Sequence, residues 1–94
     1  MNILHQQNGS KGSFYIEENN QRLAEMTYTL AGEKLMIIDH TDVSDALRGK
    51  GAGKQLVTAA VHHARAQGIK ILPLCPFARS VFERVKEFQD VLNN

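Results

Sequence analysis

The stretch Leu47–Gln55, "LRGKGAGKQ", separates two halves of the chain that repeat differently. Before it, apolar residues come in short runs and imperfect alternations, the mark of strands. After it, Leu56, Val57, Ala60, Val61 and Ala64 recur at helical spacing. The chain must therefore pass from extended structure into a helix through three glycines at alternate positions, with Arg48, Lys50 and Lys54 around them. Few folds make that passage after several strands, so this segment constrains the rest.

The N-terminal half reads as a meander. Residues 1–12 are polar and contain glycine, which suits a loose arm or a short edge strand. "SFYIEE" (13–18) is rich in aromatic and β-branched residues and reads as a strand, and "NNQ" (19–21) is turn material. In 22–30 the face of Ala24, Met26, Tyr28 and Leu30 is the more apolar, which predicts a half-buried strand. "AGEK" (31–34) can close a hairpin. "LMIID" (35–39) is a continuous apolar run and predicts a central strand, extendable through His40 to Val43. Three antiparallel strands are expected.

The C-terminal half predicts a helix over 51–67, ended by Gly68. "IKILPL" (69–74) is a short buried strand, parallel to the third strand through the helical crossover. Pro76 suits the first turn of a second helix, "PFARSVFERVKEF". The order is βββ-α-β-α in one domain, residues 1–94, with no repeats or linkers. Apolar residues make up 43% of the 94, enough for one compact core.

Charge limits the partners. Eleven Lys and Arg against ten Asp and Glu argue against a general nucleic-acid surface, so any anion site is local. The single cysteine, Cys75, excludes an internal disulfide and fits a reducing compartment. No apolar run has the length of a membrane span, and the first residues lack a basic start followed by an apolar stretch. The expectation is a soluble cytoplasmic protein.

Three phosphate-binding patterns compete for the glycine segment. The P-loop fails, because Arg48 stands where its first glycine is due and Gln55 follows Lys54 in place of Ser or Thr. The dinucleotide fingerprint fails because Lys54 occupies its third glycine. "RGKGAG" (48–53) fits a third pattern, R-G-x-G-x-G opening a helix after a β-meander. The first turn of a helix leaves about four backbone N–H groups unpaired, and the helix dipole adds positive charge there. Glycines allow phosphates to approach that backbone. The segment is thus either an anion cradle or an ordinary glycine-rich strand-to-helix loop.

With these residues and their surroundings the chain resembles the GNAT superfamily of N-acetyltransferases, within it the short single-domain subgroup. Residues 40–85 carry the likeness. Arg48, Gly51 and Gly53 match the superfamily's Q/R-x-x-G-x-G/A loop, and His40-Thr41-Asp42-Val43 and Pro73 to Ala78 match stretches that mark the subgroup. The resemblance implies an α+β fold, an α/β three-layer arrangement with a central mixed sheet whose third and fourth strands splay apart. It implies acetyl-CoA as cosubstrate and no metal. The pantetheine arm would bond to backbone near Val43. The pyrophosphate would sit over Arg48, Gly49, Lys50, Gly51, Ala52, Gly53 and Lys54, while an amine attacks the thioester.

The departures from the family pattern carry as much information. Ala78 is followed four residues on by Phe82, where many relatives place a tyrosine that protonates the departing thiolate. The chain also goes from strand to strand where larger relatives insert helices that wall the acceptor site. An open acceptor side suits a protruding lysine, an N-terminus or another macromolecular amine. The rival reading is a module that senses CoA or acyl-CoA with little turnover.

Single residues each allow two readings. Cys75 is a nucleophile for the acetyl group, or a thiol that pairs with CoA, or a small buried hydrophobe. His40 is a general base or a hydrogen-bonded structural histidine. His62 and His63 are surface or partly packed residues, without the i, i+4 spacing of a metal pair. Arg79 and Ser80 reach the CoA arm or are solvated, and Phe77, Phe82 and Phe88 are expected in the core.

Overall fold

The computed structural model describes residues 1–93. Its elements are β1 (Leu4–Asn8), β2 (Lys11–Glu18), β3 (Gln21–Leu30), β4 (Leu35–Val43), α1 (Ala52–Gln67), β5 (Lys70–Pro73) and α2 (Pro76–Arg84). Short 3-10 turns cover Asp45–Leu47 and Lys86–Val91. The five strands form one sheet in chain order, antiparallel from β1 to β4 and parallel between β4 and β5. The architecture is α+β, as expected.

The turns follow the sequence closely. Asn19 and Asn20 take positive φ (52° and 64°) between β2 and β3, which asparagine tolerates better than most residues. Gly68 ends α1 in the left-handed conformation, its N–H bonded to the Ala64 carbonyl. The polar N-terminal residues form an edge strand: β1 pairs with β2 from Leu4↔Tyr15 to Asn8↔Lys11.

Pairing register and burial locate the core. Phe14, Ile16, Ala24, Met26, Tyr28, Met36, Ile38 and Ile71 lie on one face of the sheet and are buried. Leu56, Val57, Ala60, Val61 and Ala64 of α1 and Ala78, Val81 and Phe82 of α2 join them in one cluster. The two crossovers run in the same direction across the sheet, with Ile71 bridging onward to Leu92, so right-handed connection brings both helices to the same face. On the other face Leu35, Ile37 and Leu72 are only half-buried. The three-layer expectation therefore reduces to two layers: the chain passes directly between strands, leaving no helix for the second face.

The end of the second helix differs from expectation. The second helix ends at Arg84, short of Phe88, because Val85 turns extended (φ −102°, ψ 97°). The chain then folds back so that Phe88 meets Phe82 edge to face at 6.1 Å, and the Gln89 amide donates to the Phe82 carbonyl. Arg65 ties α1 to this return, donating to both Asp90 carboxylate oxygens (3.0 and 2.8 Å) and to the Glu87 carbonyl (2.6 Å).

β1 is fastened through an aromatic cluster. His5 stacks on Phe14 at 4.3 Å, meets the edge of His63 of α1 at 4.7 Å, and pairs through Nε2 with the Tyr28 hydroxyl at 2.7 Å. His63 is therefore the partly packed histidine of the helix, whereas His62 is exposed. Partial desolvation by the rings packed on it, and after that the neighbouring His63, hold the otherwise exposed His5 below its ordinary value of 6.5; desolvation holds the half-buried His63 below 6.5 too. Burial pushes the Tyr28 phenol up.

Both imidazoles stay neutral in the fold at a pH where the unfolded chain already binds protons. Their contribution to stability is complete above about pH 6.5 and is lost as pH falls through the lowered folded values. The melting temperature is expected to drop from about pH 7.5 to about 5, and a His5→Gln/His63→Gln double variant is expected to flatten that drop. Thermal unfolding followed across this range checks it; equal slopes in both proteins would refute it.

Candidate active site

The site begins where two strands part. β5 pairs with β4 only from Leu35↔Lys70 to Ile38↔Pro73, and the last rung is the Leu74 N–H on the Ile38 carbonyl at 3.1 Å. Proline has no N–H to continue the ladder, and Pro76 turns the chain into α2. β4 runs on to Val43 paired on one side only. It also carries an extra residue there: Thr27 pairs with His40 and Tyr28 with Ile38, leaving Asp39 as a bulge.

A cleft of about 570 Å³ opens at this divergence. Thr41 and Val43 line one end, the loop of Leu47–Lys54 runs along it, and Phe77 and Arg84 of α2 form the opposite wall. Leu47, only 4% exposed, anchors the loop in the core. Gly51 caps α1 with φ 71°, and Gly49 has φ 78°, conformations that a side chain disfavours. The start of α1 has no side-chain cap, so its first-turn N–H groups are available to a ligand. At Gly53 the constraint is close approach: a Cβ there would sit 2.4 Å from Cζ of Phe77.

The charges of the loop are held loosely. Arg48 pairs with Asp45 at 2.6 Å, but both side chains are more than 80% exposed, so an incoming anion can compete. Lys54 lines the cleft and Lys50 stands outside it; neither makes an ion pair among the described residues. Of the cofactor-binding residues expected, Val43, Arg48, Gly49, Gly51, Ala52, Gly53 and Lys54 all line this one cleft.

Cys75 and His40 lie on different sides of the sheet. Cys75 is buried and caps α2, its Sγ accepting from the Ala78 N–H at 3.4 Å and lying 3.2 Å from Oγ1 of Thr41. Thr41 pairs with buried Met26 and so faces the helices. His40, its neighbour, is exposed on the open face and pairs with Thr27. Thr41 was not expected at the site. The alternation that brings Val43 into the cleft brings Thr41 there too.

The phenylalanines divide. Phe82 and Phe88 are buried, as expected, but Phe77 is 39% exposed and its ring lies over Gly53 as a wall of the cleft. Phe82 is 1% exposed, so the position equivalent to a tyrosine acid is a sealed core residue.

The family described as GCN5-related N-acetyl-transferase matches residues 13–91. A GCN5-like protein from Staphylococcus aureus, solved by NMR, is 41% identical over 99% of this chain and 90% of that one, at a TM-score of 0.75. Ribosomal-protein-alanine N-acetyltransferase from Brucella melitensis biovar Abortus 2308 is similar at TM-score 0.69 and 18% identity, over 84% of this chain and 63% of that chain. An aminoglycoside 6′-N-acetyltransferase complexed with coenzyme A is similar at TM-score 0.58 and 14% identity, over 68% and 37%. The last two likenesses are likenesses of fold alone. No curated protein matches the chain significantly.

The two glycines at the start of α1 should respond differently to substitution. Gly51→Ala is expected to cost about 1 kcal/mol through its left-handed conformation, with nothing within contact distance of the new methyl. Gly53→Ala keeps a helical backbone, and the half-exposed Phe77 ring can swing away, so its cost is smaller while the ring moves into the cleft. Urea unfolding measures the first difference, and the chemical shifts of the Phe77 ring report the second.

Proposed function

The chain belongs to the GCN5-related N-acetyltransferase family, and on that premise we propose that it transfers acetyl from acetyl-CoA to an amine whose carrier reaches the open face of the sheet. The observation that carries this reading is the single cleft joining the split between β4 and β5 to the uncapped first turn of α1. The parts fit coenzyme A in chemistry and order. The free edge of β4 near Val43 suits the amide groups of pantetheine, and Gly51 to Lys54 suit a pyrophosphate. A thioester at the far end would lie near Thr41 and Cys75.

Acetyl-CoA supplies the activated acetyl group; the chain's residues hold and expose it. The amine must lose a proton before its lone pair can attack, and His40 on the open face is the available imidazole for that. As the new C–N bond forms, the C–S bond breaks and the thiolate needs a proton or a stabilising donor. Phe82 cannot give one. Thr41 and the start of α2 supply donors beside Cys75, and Cys75 can itself accept the acetyl group before the amine does. The second reading, a module that binds CoA with little turnover, draws on Phe82 and on the uncovered open face.

The open face makes the acceptor a protruding amine, such as a lysine, an N-terminus or another macromolecular group. Among the described residues no helix covers Ile37 and Leu72 on that face, which suits a bulky acceptor. Incubating a cell extract with labelled acetyl-CoA and the protein, followed by mass spectrometry, would identify it. Reaction of small free amines alone would overturn the macromolecular acceptor.

Release of free thiol from acetyl-CoA, with and without amines, separates the two readings. Turnover is expected to be acceptor-dependent and to fall about tenfold or more in His40→Gln. If Cys75 carries the acetyl, protein incubated with acetyl-CoA alone will bear the group on Cys75, and Cys75→Ser will lose turnover. Undiminished turnover in Cys75→Ser would leave the direct attack. No thiol release with any acceptor, alongside tight CoA binding, would favour the sensing module.

A further inference from the structure

Arg84 lines the cleft from the last turn of α2, and nothing in the proposed mechanism uses it. α2 starts beside Thr41 at Cys75, and Arg84 is nine residues on, about 13 Å along the helix axis. Phe77 and Arg84 are seven residues apart, on one face of α2, and both line the cleft. That wall therefore runs from an aromatic ring to a cation, with the buried Cys75 behind its start.

The electrostatics of the cleft are one-signed. Its lining holds Arg48, Lys54 and Arg84 and no carboxylate. Arg48 has Asp45 as a partner, but Arg84 has none among the described residues. Its guanidinium makes one long bond, Nε to the Ser80 carbonyl at 3.3 Å, which leaves both terminal nitrogens free. A pyrophosphate over the start of α1 is already served by the first-turn N–H groups and Lys54. A further cation on the facing wall calls for a further anion, and its fork matches a phosphate monoester better than an ammonium does.

Resting on the cofactor reading above, we infer that Arg84 binds the ribose 3′-phosphate of coenzyme A and makes the cleft selective for the 3′-phosphorylated cofactor. Coenzyme A and dephospho-CoA share the thiol arm and pyrophosphate and differ only in this group. The same contact would hold acetyl-CoA, so Arg84 acts in binding, not in the chemical step.

Calorimetric titration of the full chain with CoA and with dephospho-CoA tests this, in wild type, Arg84→Met and Lys54→Met. Wild type is expected to bind CoA about tenfold more tightly than dephospho-CoA. Arg84→Met is expected to lower CoA affinity to the dephospho-CoA level and leave dephospho-CoA unchanged. Lys54→Met, at the pyrophosphate, is expected to weaken both. Arg84 is exposed, so its variant should keep the wild-type circular dichroism and melting temperature. Equal affinities in wild type, an unchanged CoA affinity in Arg84→Met, or equal weakening of both ligands would overturn the inference while leaving the cofactor in place. Binding of neither ligand to wild type would overturn the cofactor reading and this inference with it.

Discussion

The hydrogen bond from the Leu74 N–H to the Ile38 carbonyl is the last rung between β4 and β5, and the site depends on its being the last. Two features stop the ladder. Pro76, two residues after Leu74 and so next in line to donate to β4, has no N–H, and it commits the chain to a helix. Asp39 bulges on the facing strand, adding twist where pairing ends. The result is a strand, β4, that presents unpaired backbone beyond Ile38 without being at the edge of the sheet. Such backbone is costly to bury and easy to satisfy with an extended, amide-bearing ligand. The rest of the site is arranged around that gap: Cys75 and Thr41 at its apex, the start of α1 at its mouth.

A chain of this size covers one face of a five-stranded sheet and little more. All the fully buried strand residues point to the side of α1 and α2, while Leu35, Ile37 and Leu72 remain half-covered. The omitted layer costs stability, and part of the compensation is visible at the margins. His5 pins the edge strand through Phe14, Tyr28 and His63, and Arg65 pins the C-terminal return through Asp90. Asp90's carboxyl is held below its ordinary value first by the Arg65 hydrogen bond. The same omission opens the face from which an acceptor can approach.

Legibility in the sequence followed physical cause. Gly49, Gly51, Gly68 and Asn19-Asn20 announced turns because their conformations exclude most other residues. The alternation in Ala24, Met26 and Tyr28 announced a buried face because the face is buried on one side only. β1 was ambiguous because all five of its residues are exposed, so no alternation is imposed on them. The end of α2 was invisible because Phe88 keeps helical spacing from Phe77, Val81 and Val85 although the chain leaves the helix at Val85. Phe77 misled for a related reason: apolar spacing marks a face of a helix, and that face can border a cleft as well as a core. Thr41 was legible only through its alternation with Val43, and Arg84 carried no local signal, since its placement depends on which helix faces the gap.

The placement of His40 and Cys75 follows from the pleat of β4. Neighbouring residues of a strand point to opposite faces, so Thr41, in contact with Cys75, and His40 cannot share a side. In an intact sheet two such residues would be separated by backbone. Here β4 loses its β5 partner after Ile38, so no rung separates the faces beyond that point; Thr41 lines the cleft, and His40 lines a separate hollow on the open face. On the proposed function, a cofactor in the cleft and an amine arriving from the open side would meet at that gap. The histidine and the cysteine are thus candidates for opposite ends of one proton balance, one taking a proton from the amine and the other lying beside the sulfur that must receive one. Because the buried core fixes the register of β4, a one-residue slip would exchange the two faces and destroy both the cleft and the packing of Met36 and Ile38. Stability and the geometry of the site are therefore set by the same register.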